Sequence, residues 1–323
     1  MNRRQNAEYR GMLDNRLTRR AALCGASAVG IAAALGAHGT GWAGAQTGSP
    51  VAASTIEDYP EVVITASEYH LDLPASIPAG LTRLTLKNEG TVLYHAMFMR
   101  VNEGSTLAEL QAALMAPDFG PIFAASTSLG GPEVDPGLQA STIVELQPGQ
   151  YMVICVIPDA DGTPHYMMGM QAAVEVTAAT GAEPEPAADE TIELTEFTFG
   201  SLPRQVAPGR QLWAVTNAGE QPHEFLVLQL APGVSFDDAL RILDQNHAIT
   251  PEAGSPATPE AAAAGGPPPF AFIGGAAPMS ARQTNWAVLD LEGGEHFAVC
   301  FLPDPATGAP HFALGMIMPL TVG

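Results

Sequence analysis

The stretch CVIPDADGTPHYMMGM, residues 155–170, returns as CFLPDPATGAPHFALGM, residues 300–316. A thiol, an imidazole and a thioether recur in one order. Nine residues separate Cys155 from His165, and ten separate Cys300 from His311. Four separate His165 from Met170, and four separate His311 from Met316. Each cysteine ends an apolar run with strand character. Alternation puts Tyr151, Val153, Cys155 and Ile157 on one face, and His296, Ala298, Cys300 and Leu302 on one face of the second run. His296 lies four residues before Cys300, roughly 13 Å along a strand, too far to bind the same metal ion. It reads as a structural or solvent-facing histidine, and Met167 and Met168 read as core residues.

Moving outward, the flanking sequence repeats as well. EVVITASEYHLDL and LTRLTLKNEG open the first copy; TIELTEFTFG and RQLWAVTNAG open the second. Short β-branched and aromatic runs ending in Asn/Gly turns predict strands. Each copy then has a histidine in a strand, His95 in LYHAMFMRV and His223 in QPHEFLVLQL. His95 follows Asn88 by seven residues, and His223 follows Asn217 by six. A short helical pattern comes next in each copy, TLAELQAALM and FDDALRILDQ. Gly/Pro-rich segments, STSLGGPEVDPG and FIGGAAPMSAR, lead to two closing strands joined by QPGQ or EGGE, which read as hairpin turns. Many short strands in a tandem repeat predict an all-β protein of two Greek-key sandwiches, each with a short inserted helix. Domain boundaries are expected at residues 59–178 and 191–323, with Pro- and acid-rich linker sequence at 179–190. The Pro/Ala tract at 249–269 reads as a mobile surface loop without chemistry of its own.

The first 45 residues are a different kind of sequence. Six arginines precede the apolar run AALCGASAVGIAAALGA, and WAGAQ offers an Ala-x-Ala cleavage site after Ala45. That predicts an export signal, and TRRAAL resembles the twin-arginine type, so a periplasmic or extracellular location is expected. Residues 46–58 read as a linker. Seven of the thirteen basic residues and 32 of the 34 acidic ones lie beyond Ala45. Such a surface repels nucleic acid and anionic membranes and suits solubility or steering toward a basic partner. Nothing downstream of the signal is apolar for long enough to span a bilayer. Cys155 and Cys300 are the only cysteines left, so one disulfide is the simplest structural alternative.

A second alternative accounts for more of the pattern. Each copy offers an upstream His, then Cys, His and Met: His95, Cys155, His165 and Met170; His223, Cys300, His311 and Met316. Two imidazoles and a thiolate with a weak thioether form a blue-copper site. A His₂Cys zinc site is also available to these residues but would not need the methionine. With that order, both copies resemble cupredoxins, the blue (type 1) copper proteins. The His–Met spacing is like that of plastocyanin; the longer Cys–His loop, with a Pro before its His, is closer to the copper nitrite reductases. The resemblance implies one or two type 1 copper ions, one-electron transfer and a redox partner protein, possibly basic. A scaffold or copper-holding protein with vacant sites is the alternative.

Histidine supply argues against catalysis. Only His70, His247 and His296 remain beyond Ala45 once four ligands are assigned, and no His-x-His pair occurs. Ile154 and Val299 stand before the cysteines, where a bridging histidine would be needed for a second copper. No nucleophile triad, phosphate loop or paired-carboxylate motif stands out. The expectation is an electron carrier and not an enzyme, with an oxidase using a copper site formed with another subunit as the weaker reading.

Overall fold

The computed structural model describes residues 55–116, 120–179, 183–249 and 269–323, the side chains of 245–249 excepted. The export signal, Cys24 and most of the Pro/Ala tract lie outside the described residues. The first repeat supplies β1 (Glu61–Ser67), β2 (His70–Asp72), β3 (Ser76–Pro78), β4 (Gly80–Asn88), β5 (Tyr94–His95), β6 (Met97–Val101), β7 (Ser126–Ser128), β8 (Glu133–Val134), β9 (Gln139–Leu146), β10 (Gly149–Ile154) and β11 (Gln171–Thr177). The second supplies β12 (Glu190–Thr195), β13 (Thr198–Gly200), β14 (Gln205–Val206), β15 (Gly209–Asn217), β16 (His223–Leu230), β17 (Phe270–Met279), β18 (Thr284–Leu291), β19 (Gly294–Val299) and β20 (Ile317–Val322). Helices α1 (Leu107–Ala113), α2 (Gly120–Ala125) and α3 (Phe236–Ile249) are the insertions. The expected all-β class, two sandwiches in tandem, is the fold found.

The sandwiches are joined more closely than a linker implies. One eight-stranded sheet runs β13-β12-β15-β18-β9-β4-β1-β2, so four strands of each repeat lie in a common layer. The seam is antiparallel, with Asn285 opposite Val144 and Val288 opposite Ser141. Each repeat adds its own five-stranded sheet: β3-β11-β10-β6-β7 and β14-β20-β19-β16-β17. Two edge strands that would otherwise be open to pairing with another chain are thereby closed against each other. Side-chain and loop contacts reinforce the seam. Thr142 Oγ1 donates to Gly275 O (3.0 Å), Ala277 N–H to Gly131 O (2.9 Å) and Phe272 N–H to Asp135 Oδ2 (3.0 Å).

The turns QPGQ and EGGE are not hairpins. β9 pairs with β4 and β18, whereas β10 pairs with β6 and β11. Each turn therefore carries the chain from one layer to the other. The reason is burial: Tyr151, Val153 and Cys155 face the core of the first sandwich, while Met152 and Ile154 face a second cluster under α1 and α2. A strand apolar on both faces belongs in a covered layer. In the second repeat Ala298 and Cys300 face the sandwich core, and Phe297 and Val299 pack with Ala239 and Leu243 of α3. Large side chains such as Phe297, Val299 and Leu243 each contribute about 1.5–3 kcal/mol of burial free energy. Helix α1 starts on a capping box, Thr106 Oγ1 accepting Glu109 N–H and Glu109 Oε2 accepting Thr106 N–H.

Among the described residues no helix is long and apolar enough to cross a membrane.

Candidate metal centre

Both cysteine-to-methionine loops are built by one local programme. A proline bridge closes each, Pro158 to Pro164 and Pro303 to Pro310. An aspartate pins the enclosed turn: Asp159 Oδ1 accepts the N–H of Asp161 and of Thr163, and Asp304 Oδ2 accepts the Thr307 hydroxyl at 2.6 Å. The proline before each histidine then starts a single 3₁₀ turn, His165–Met168 or His311–Leu314. Gly169 and Gly315 end these turns at φ 112° and 120°, a region L-residues avoid. The methionine N–H returns to the histidine carbonyl, Met170 to His165 and Met316 to His311. That one closed turn is the physical reason for the constant His–Met spacing. Cysteine N–H groups in turn donate to the methionine carbonyls, Cys155 to Met170 and Cys300 to Met316.

In the second repeat these elements bring three ligand atoms together. His223 Nδ1 lies 3.1 Å from His311 Nδ1, and Cys300 Sγ lies 3.3 Å from His311 Nδ1. All three ligand atoms fall within 4.8 Å of one another, and all three residues are buried. Donors bound at about 2.0–2.3 Å to one ion stand roughly 3–4 Å apart, so the set fits a single metal ion. Met316 is fully buried in the same core as Cys300. Burial holds both His223 and His311 down to about 4, so both rings are neutral and have lone pairs to offer. Burial, then the Glu224 carboxylate, pushes the Cys300 thiol well above its ordinary value. The free thiol therefore keeps its proton until a cation displaces it.

The first repeat assembles differently. Cys155 Sγ lies 3.5 Å from His165 Nδ1, and Met170 is fully buried in the same core. His95, expected from the sequence as the second imidazole, is not brought to them. Its Nε2 accepts the Val156 N–H at 2.6 Å, and its Nδ1 lies 3.8 Å from Glu133 Oε2. Among the described residues, the only group of three or more His, Cys, Asp or Glu side chains placed to hold a metal is the one in the second repeat.

Register explains the difference. Met97 pairs with Ile154, and Leu226 pairs with Val299; each partner directly precedes its cysteine. Counting back, His95 matches Glu224 and Tyr94 matches His223. Three independent contacts agree. Glu224 Oε1 accepts the Phe301 N–H at 2.6 Å, as His95 accepts that of Val156. Tyr94 meets His165 with ring centroids 5.3 Å apart, as His223 meets His311 at 4.8 Å. Glycines before the two rings match as well, since a Cβ on Gly90 would strike Tyr94 and one on Gly219 would strike His223. Tyr94 thus fills the imidazole position, with burial the first cause raising its phenol to about 12. Neither Tyr94 nor Glu224 was singled out from sequence; the only signal was the interval from Asn88, one residue longer than that from Asn217.

A buried polar cluster surrounds this point. Burial raises Glu133 and Glu224 to about 8 each and lowers His95 to about 3. The nearby Glu133 carboxylate adds to the rise at Glu224. Both cysteines are free, which removes the disulfide alternative. His296 is buried and not solvent-facing, its Nδ1 3.1 Å from Gly294 O. Met167 is 45% exposed, so it is no core residue; its position in the 3₁₀ turn points it outward.

No family model matches the chain, and no curated protein matches it in sequence. Solved structures with similarity include reduced auracyanin from Roseiflexus castenholzii, at 17% identity, covering 42% of this chain and 95% of that one, TM-score 0.26. A multicopper oxidase matches at 14% identity, covering 84% and 92%, TM-score 0.23. The copper nitrite reductase of Nitrosomonas europaea matches at 14%, covering 81% and 93%, TM-score 0.22. The structures it resembles thus include both blue copper proteins and copper enzymes.

Proposed function

We propose that this chain is an exported two-domain cupredoxin that carries electrons through one copper ion, held in the second repeat by His223, Cys300 and His311 with Met316 as the weak fourth ligand. The observation that carries the reading is the convergence of two neutral imidazole Nδ1 atoms and one thiol sulfur within 4.8 Å in a buried site. A copper ion bound there would supply one-electron redox chemistry of the blue-copper kind.

The chain's own part is to fix the donors before the ion arrives. Pro310 and Gly315 lock the His311 turn, and the strand pairing of β16 with β19 aligns His223 with Cys300. The Glu224 N–H lies 3.5 Å from Cys300 Sγ, where it stabilises negative charge on the thiolate. Donors held by packed strands move little between oxidation states, which suits electron transfer.

Residue supply supports a carrier over an enzyme. His70 is exposed at a strand edge and His296 is bonded into its own turn. A second, catalytic copper would lack convergent imidazoles, since His95 and His165 join no other three-ligand group among the described residues either.

The test is the copper-to-protein ratio of the mature chain together with its visible spectrum. One copper ion per chain and an intense thiolate-to-copper band are expected, both lost in Cys300→Ser and both kept in Cys155→Ser. A protein that stays colourless after copper addition overturns the reading and leaves the scaffold alternative.

A further inference from the structure

We propose that a crevice at the seam between the repeats binds a small oxyanion, a carboxylate or phosphate-type group, between Arg100 and Arg282. The crevice has a volume of about 290 Å³ and is lined by Arg100, Glu145, Arg282, Asn285 and Trp286 among others. It joins the end of β6 in the first repeat to the start of β18 in the second.

Its charge runs against that of the molecule. The chain has a formal net charge of −21, and only seven Lys and Arg residues lie beyond Ala45. Two of the seven line this one crevice. Arg83, Arg210 and Arg241 are each paired with a carboxylate, whereas Arg100 and Arg282 form no ion pair among the described residues. The one carboxylate in the lining, Glu145, accepts a hydrogen bond from Gln147 Nε2 at 3.0 Å. Two guanidinium groups and one carboxylate in the lining leave a net positive charge there.

An unsatisfied side-chain amide belongs to the same lining. Asn285 is 1% exposed, and neither its Nδ2 nor its Oδ1 has a partner. A buried amide donor without a partner is uncommon and calls for a ligand, and Asn285 Nδ2 is a donor of the kind an anion accepts.

Backbone strain gives an independent reason to regard Arg282 as selected for its side chain. It sits at φ 67°, where non-glycine residues are disfavoured. The corresponding residue of the first repeat is Gly137, at φ 76°. The match is fixed by hydrogen bonds: Arg282 N–H donates to Asn217 O, and Gly137 N–H donates to Asn88 O. One repeat thus uses the unstrained residue and the other keeps an arginine there. The other two polar groups are also one-sided. Arg100 pairs with Tyr151, and its counterpart Gln229 pairs with His296. Asn285 lies opposite Val215, and its counterpart Ala140 lies opposite Leu86. The twin repeat carries neither guanidinium, and has alanine in place of the Asn285 amide.

The twin repeat also supplies the variants, each carrying a residue this backbone already accepts. Calorimetric titration of the mature chain at low ionic strength, with and without copper, uses inorganic phosphate in one arm and malonate in the other. Saturable binding of one ion per chain is expected in at least one arm, and the stronger arm identifies the class. Arg282→Gly and Arg100→Gln are each expected to weaken it at least tenfold, while the thermal midpoint without ligand stays the same or rises in Arg282→Gly. Absence of saturable binding of either probe at millimolar concentration, or unchanged affinity in both variants, overturns the proposal. Loss of copper with retained anion binding would sink the electron-transfer reading alone.

Discussion

Tyr94 meets His165 in the first repeat as His223 meets His311 in the second, with centroid separations of 5.3 and 4.8 Å. The two positions are equivalent by register, by their glycine neighbours and by the group that follows each in sequence. Replacing the phenol by an imidazole would therefore complete a set that already has Cys155, His165 and Met170. Tyr94→His is expected to raise bound copper from one to two ions per chain and to strengthen the visible band about twofold, since each thiolate–copper unit absorbs independently. Metal analysis and the spectrum of the purified variant check this. An unchanged ratio of one would show that the first repeat is unfit for reasons beyond that ring.

Most of the architecture was legible because duplication doubles every signal. The strand runs, the helical insertions and the Cys–His–Met loops each appear twice, and the loop chemistry of Pro, Asp and Gly is local. Two features were not legible. The shared sheet depends on pairing β9 with β18, and nothing in either strand names its partner across repeats. The placement of His95 depends on a one-residue offset before β6, and in a strand one residue reverses the face that a side chain meets. A histidine in the expected order thus landed on the far side of its backbone.

Glu224 and His95 do one job in their respective repeats, each accepting the N–H that follows the cysteine. Removing the acceptor leaves a buried donor unpaired, at a cost of about 1–3 kcal/mol. Glu224→Ala is expected to lose that much in denaturant unfolding, and Glu224→His, the residue of the twin, to recover most of it. Equal losses in the two variants would show that the carboxylate itself, and not its acceptor role, is what the site needs.

The ligand turn rests on Gly315 at φ 120°. An alanine there adds a Cβ to a left-handed backbone, costing about 1–2 kcal/mol. Strain in the residue between His311 and Met316 should also release copper faster. Gly315→Ala is expected to lower the thermal midpoint and to speed copper loss to a chelator, read from the decay of the visible band. Gly308 has a positive φ in the preceding turn, and a Cβ there meets nothing within 4 Å. Gly308→Ala should therefore carry the stability cost with less effect on copper release. Equal release rates in the two variants would detach the Gly315 turn from metal retention.

Buried carboxyls set the alkaline limb of stability. Glu133 is raised from its ordinary value of 4.5 to about 8 by burial and then by the charge of Asp135. The folded protein holds that proton across a range where the unfolded chain has lost it. Its contribution is therefore fully present below about pH 4.5 and is lost as pH rises toward 8. The buried histidines act in the opposite sense. His223 and His311 fall from 6.5 to about 4, so the unfolded chain takes up protons first and stability drops as pH falls from 6.5 toward 4. The metal-free protein should accordingly be most stable near pH 6, between the two limbs. Glu133→Gln removes one group from the alkaline limb only. Its thermal midpoint relative to the parent is expected to climb steadily from pH 5 to pH 8 and to stay level below pH 4.5. A difference that stays flat across that range would mean that Glu133 is ionised in the folded protein, with His95 protonated as its partner.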